Sequence, residues 1–159
     1  PNPVMYFEHK GLYRGQVEPV FSDYYTIAIG KARFVRTGTD LSIITYGAGV
    51  HWALDALDQQ PGVNGEVIDL RTLVPWDHET VMQSVAKTGK ALVLEEAPGT
   101  GSYGATIAAY LSEHGFEYLD GPVTRVTSLD TPVPFNKKLE STFLARHRLP
   151  EKLAALAAY

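Results

Sequence analysis

The chain of 159 residues is 45% apolar, 20% charged and 11% aromatic, with a formal net charge of −4. A single globular domain of this length buries roughly two-thirds of its unfolded surface, whereas two domains of half the size would have no disulfide or metal to staple them. The absence of cysteine excludes disulfides, thiolate catalysis, zinc fingers and iron–sulfur clusters, and scattered Lys and Arg in an acidic chain argue against a nucleic-acid or anionic-membrane binder.

No stretch approaches the roughly 18 consecutive apolar residues of a membrane span, and no charged N-terminal region precedes an apolar run. The opening Pro1-Asn2-Pro3 reads as a processed chain or a piece of a longer one. Val4-Met5-Tyr6-Phe7 is a short apolar run, followed by a polar loop from Glu8 to Asp23. Leu41-Ser42-Ile43-Ile44-Thr45 is a strand by its β-branched content. It leads through Gly47-Ala48-Gly49 into a helix with Val50, Ala53, Leu54 and Leu57 on one face, ended by Pro61-Gly62. Val67–Leu70 is the next strand. Asp77, with Thr80 behind it, caps a helix expected to carry Val81, Val85 and Ala86 inward and to stop at Gly89. Ala91–Leu94 is apolar throughout, as a strand covered on both faces is. The turn Gly99–Gly104 opens a helix over about Ala105–Glu113, Val123–Thr127 reads as an edge strand, and Leu149–Tyr159 as a closing helix with Pro150 near its start. Strand and helix alternate at intervals that suit parallel crossovers, so the chain is expected to fold as an α/β domain with helices on both faces of a mostly parallel sheet.

The most pointed motif is Gly99-Thr100-Gly101-Ser102-Tyr103-Gly104, a literal G-x-G-x-x-G between strand and helix, with Asp120 about 20 residues on. This is the pattern in which helix N-terminal amides hold a dinucleotide pyrophosphate. Two features weigh against it. Glu95-Glu96 put negative charge beside the loop, and the motif follows a late strand whereas the fingerprint belongs to the first βα turn. Thr45–Gly49 lacks the residues of a P-loop. His51-Trp52 reads as a packed, hydrogen-bonded pair and His78-Glu79 as part of a capped helix start. None of the five histidines has another three or four residues away, so no helical metal pair exists. Glu95 and Glu96 point to opposite faces of their strand and cannot share a substrate as an acid/base pair. No catalytic set assembles.

Val67-Ile68-Asp69-Leu70-Arg71-Thr72-Leu73-Val74-Pro75-Trp76-Asp77 carries a resemblance that three further stretches share: Phe7–Arg14, Ser84–Lys90 running through Glu96-Ala97-Pro98-Gly99-Thr100-Gly101, and Tyr118–Val126. Asp130–Phe135 and a terminal helix ending in an aromatic fit too. The chain resembles, over its whole length, the C-terminal domain of the β subunit of 2-oxo acid dehydrogenase E1 components, of the transketolase superfamily, with Asp-Leu-Arg-Thr, Pro-Trp-Asp and Glu-Ala-Pro closer to the branched-chain than to the pyruvate type. The resemblance implies one three-layer αβα domain over residues 1–159, its sheet five-stranded and mostly parallel with one antiparallel strand. It implies that residues 1–23 pack on an absent pyrimidine-binding domain, with Glu8-His9-Lys10 and Tyr13-Arg14 left as a polar, unpaired surface.

The family's holoenzyme uses thiamine diphosphate and Mg²⁺ to decarboxylate a 2-oxo acid and acylate the lipoyl group of E2, in the bacterial cytoplasm or the mitochondrial matrix. The resemblance assigns no catalytic, cofactor or metal residue to this domain, and implies that alone it is inactive. Its implied role is assembly, with the α part of E1, a second β copy and the peripheral subunit-binding domain of E2 as partners. The partner-binding residues implied are Asp120, the Tyr159 carboxylate and the neighbouring Glu117, exposed anions that steer a basic partner. The alternatives are a free-standing dinucleotide module using Gly99–Gly104, and the equivalent domain of a transketolase relative.

Overall fold

In the computed structural model, which describes residues 2–17, 19 and 22–159, five strands form one sheet: β1 (Arg33–Arg36), β2 (Leu41–Thr45), β3 (Gly65–Asp69), β4 (Ala91–Pro98) and β5 (Thr124–Ser128). Their order is β1-β3-β2-β4-β5. β2 pairs in parallel with β3 and with β4, and β4 with β5, while β1 runs antiparallel to β3 with Arg33 opposite Asp69. The α/β architecture expected from the sequence is therefore present, including its single antiparallel strand.

Two helical layers sandwich the sheet. On one face α2 (Ala48–Asp58), the turn Ala145–His147 and α6 (Leu149–Ala157) pack Ala53, Leu57, Leu149, Leu153 and Leu156 onto Leu41, Ile43, Val67, Leu92 and Leu94. On the other, α3 (His78–Thr88) and α4 (Tyr103–His114) pack Val81, Val85, Ile107 and Leu111 onto Ile44, Ile68 and Val93. Alternate residues of each strand feed opposite cores, which is why the central strands lack any polar alternation.

The start of α3 follows its sequence signal. Asp77 accepts the amide of Thr80 at 3.2 Å, and Gly89 ends the helix at φ 70°. Burial alone would raise the Asp77 carboxyl, but the amides of Ala32 and Thr80, the Thr80 hydroxyl and Lys31 outweigh it and hold the group below its usual range. Ala86, expected to face inward, is exposed. The buried face runs through Val81, Ser84, Val85 and Thr88, because Ser84 meets the buried carboxylate of Glu66 on β3.

Three elements carry too few apolar residues to read from sequence. β1 is an edge strand bounded by Arg33 and Arg36, the charged border that discourages further pairing. α1 (Leu12–Gly15) buries nothing, and α5 (Lys137–Phe143) buries only Phe143, its start marked by Asn136 accepting the amide of Lys138 at 2.9 Å. Among the described residues the apolar run Val4–Phe7 pairs with no strand; its four side chains are 68–86% exposed. Next to this exposed apolar run, the surface of Glu8–Lys10 and Tyr13-Arg14 expected to be unpaired is paired in part. Tyr13 donates to Glu8, and His9 bonds Glu96 at 2.9 Å.

Candidate docking site

Asp120 follows the 3₁₀ turn Phe116–Tyr118, in the connection that carries α4 into β5. Its amide donates to the carbonyl of Gly89 at 2.7 Å. A Cβ on Gly89 would overlap the Asp120 carboxylate, so the acid lies directly on that glycine, whose left-handed φ of 70° favours glycine in any case. Gly121 is the second close approach. A Cβ there would stand 3.1 Å from the ring of Tyr159. The fold therefore brings Tyr159, at the end of α6, against the residue next to Asp120, and both Asp120 and Tyr159 are exposed.

Glu117 sits three residues upstream on the 3₁₀ turn. Its partner is the hydroxyl of Tyr118, and that hydrogen bond, then the charge of Glu117, raises the Tyr118 phenol. Phe116, 77% exposed, borders an open depression of about 530 Å³ walled by Leu119, Asp120, Gly121, Pro122 and Val123. The result is an acidic rim beside an apolar hollow. Phe116 was not a candidate from sequence, although an aromatic directly after Gly115 is an available signal for a solvent-facing turn.

The other candidates are occupied by the protein itself. Glu95 is fully buried and accepts the amide of Gly104 at 2.9 Å, the Ser102 hydroxyl at 2.6 Å, the Tyr46 hydroxyl at 3.2 Å and the Arg125 guanidinium at 3.2 Å. Asp130 takes the amide of Thr100 at 2.8 Å and its hydroxyl at 2.9 Å. Two amides of the glycine turn, those of Thr100 and Gly104, are thus satisfied by internal carboxylates. A buried carboxylate bonded to the first turn of α4 counts against a second anion, and so against a dinucleotide, at this turn. Glu96 leaves the opposite side of the strand toward His9, as strand alternation requires.

His78 stacks on Trp76 at 4.0 Å and on Tyr110 at 4.5 Å, leaving the cap to Asp77. Trp52 packs against the sheet core, and among the described residues no hydrogen bond joins it to His51. Among the described residues, too, no three His, Asp or Glu side chains gather where they could hold a metal ion, and no helix is long and apolar enough to cross a membrane.

Known proteins resemble this sequence and share this fold. The sequence is 47% identical over 138 residues to the mitochondrial 2-oxoisovalerate dehydrogenase subunit beta 2 of Arabidopsis thaliana, covering 84% of this chain and 38% of that protein. It is 44% identical over 149 residues to the pyruvate dehydrogenase E1 component subunit beta of Bacillus subtilis, covering 92% of this chain and 46% of that one. The chain therefore spans less than half the length of these relatives. Among solved structures, a split-gene transketolase described as an inactive beta4 tetramer matches with a TM-score of 0.71 and 26% identity, over 89% of this chain and 46% of that one. The profile of the transketolase C-terminal domain covers residues 30–148, and the chain belongs to that family.

Proposed function

We propose that this chain is the C-terminal domain of a 2-oxo acid dehydrogenase E1 β subunit, and that it serves assembly and the docking of E2 rather than the chemistry of decarboxylation. The observation that carries the docking role is the seating of Tyr159 against Gly121, the residue after Asp120, with Asp120 and Gly121 on the wall of the apolar depression. An exposed acid next to an aromatic and a hollow suits a small basic domain that offers a cation and an apolar side chain together, which is the chemistry of the peripheral subunit-binding domain. Charge there sets orientation and association rate, and the hollow adds buried area. Glu117 lies within the same turn and adds negative potential.

The leading residues 1–23 serve as the contact to the pyrimidine-binding domain of the same subunit. The exposed Val4, Met5, Tyr6 and Phe7 support this, since a monomeric domain rarely leaves such an apolar stretch in water. The remaining partners are the E1 α part and a second β copy. In this reading thiamine diphosphate and Mg²⁺, which decarboxylate the 2-oxo acid in such enzymes, are held by the other domains of E1, and no catalytic step is assigned to residues of this one. Relatives named as bacterial and as mitochondrial proteins support a bacterial cytoplasmic or mitochondrial matrix setting.

The test is calorimetric titration of the full-length subunit, assembled with its α part, with an E2 peripheral subunit-binding domain. Asp120→Asn is expected to weaken binding about thirtyfold, the lower end for a truncated interfacial charge pair, and added salt to weaken the parent further. Binding indifferent to both would overturn the docking role, and absence of binding would favour the transketolase-type relative.

A further inference from the structure

We infer that Lys90 is a positioning residue of the docking face; the inference rests on the docking reading above. The two-residue turn Gly89-Lys90 joins α3 to β4 and touches both halves of the face. Through Gly89 it holds the acid: the Gly89 carbonyl accepts the Asp120 amide at 2.7 Å, and the Asp120 carboxylate lies where a Cβ of Gly89 would be. Through Lys90 it holds the aromatic: the half-buried Lys90 donates its Nζ to the carbonyl of Ala157 at 3.0 Å, in the last turn of α6 and two residues before Tyr159.

α6 has no basic side chain in its own last turn. The cation that favours a helix C-terminus is therefore supplied from outside the helix, by Lys90. The turn itself is anchored, since the Lys90 carbonyl accepts the Ser42 amide of β2 at 2.8 Å and the Thr88 hydroxyl at 3.3 Å. With Gly121 under the Tyr159 ring, Lys90 fixes where the end of α6 meets Asp120.

The sign of its effect separates this role from simple electrostatics. Lys90 is a positive charge near a face that meets a basic partner. Removing it by Lys90→Met would tighten binding if charge alone mattered, because a like charge is taken away. Positioning predicts the opposite: Lys90→Met weakens the subunit-binding domain about fivefold, the equivalent of losing a cation at a helix C-terminus, and Lys90→Arg restores parental affinity. Amide exchange at Ala158 and Tyr159, which donate to Ala154 and Leu156 carbonyls at 3.3 Å, should quicken in Lys90→Met while that of β2 does not.

The experiment is the same titration of the assembled full-length subunit with Lys90→Met, Lys90→Arg and Asp120→Asn in parallel. If Asp120→Asn weakens binding but Lys90→Met leaves it unchanged or tightens it, the positioning role is overturned and docking stands. If neither variant changes affinity, the docking reading fails and takes this inference with it. Should Lys90→Met not fold, Lys90→Leu, which likewise removes both donor and charge, is held to the same affinity and exchange outcomes.

Discussion

The carboxylate of Glu95 accepts the amide of Gly104 at 2.9 Å, and a Cβ on that glycine would overlap the carboxylate. The third glycine of a nucleotide-like motif thus serves an internal acid that caps the start of α4 and is held by Arg125. A carboxylate already sits in the favourable field of this helix N-terminus, which disfavours a second anion beside it.

Gly104→Ala should therefore destabilise the fold by about 2 kcal/mol, as overpacking does at a buried contact. Urea denaturation measures it. A change of a few tenths would mean that Glu95 moves aside freely.

The same contact predicts that NAD does not bind at the glycine turn. Calorimetry at millimolar cofactor is expected to show no saturable heat. Saturable binding that Gly101→Val abolishes would reinstate a dinucleotide module in place of an assembly domain.

Asp77 caps α3 and also accepts the amide of Ala32 at 3.1 Å. Asp77→Ala should cost about 2 kcal/mol, the upper end for a lost cap. Because the folded carboxyl is held below its unfolded value, its contribution is complete above about pH 4 and is lost as the pH falls through the folded value. Parent and variant stabilities should therefore converge on acidification. A constant gap down to pH 2 would contradict the assignment.

Burial, then the charge of Glu95 and the hydrogen bond to it, holds the Tyr46 phenol well above its ordinary range. A raised folded value favours the neutral phenol, so its contribution is complete below about pH 10 and is lost as the pH climbs further. Denaturation across the alkaline range should show the advantage of the parent over Tyr46→Phe shrinking above about pH 10. An advantage that grows instead would mean that the phenolate is the form the fold prefers.

Trp76 is 6% exposed and meets Tyr110 edge-on at 5.2 Å. Trp76→Ala should cost about 3 to 4 kcal/mol, the usual loss for a buried aromatic, read by thermal or urea melts. An unchanged midpoint would place it outside the core.

The parts of this fold that sequence reveals are those where local chemistry and burial agree. Ala91–Leu94 can only be a covered strand, and Asp77 with Gly89 brackets α3 by capping alone. β1 and α5 are hidden because their residues face water and their pairing or packing is decided by distant segments. Buried Glu66 precedes an apolar run and gains its meaning only from Ser84 and Lys87 on a facing helix, as Glu95 does from Arg125. For the candidate site, Asp120 and Tyr159 came from the resemblance alone. The seating of Tyr159 on Gly121, and the bond from Lys90 to Ala157, exist only once α6 has folded back.

The central claim is tested most directly by hydrogen–deuterium exchange of the full-length E1, with and without an E2 peripheral subunit-binding domain. The account predicts that, within this domain, protection falls on the depression and on the end of α6, covering residues 116–123 and 153–159. Protection confined to the leading segment or to the glycine turn at 99–104, with the Asp120 face unaltered, would contradict it.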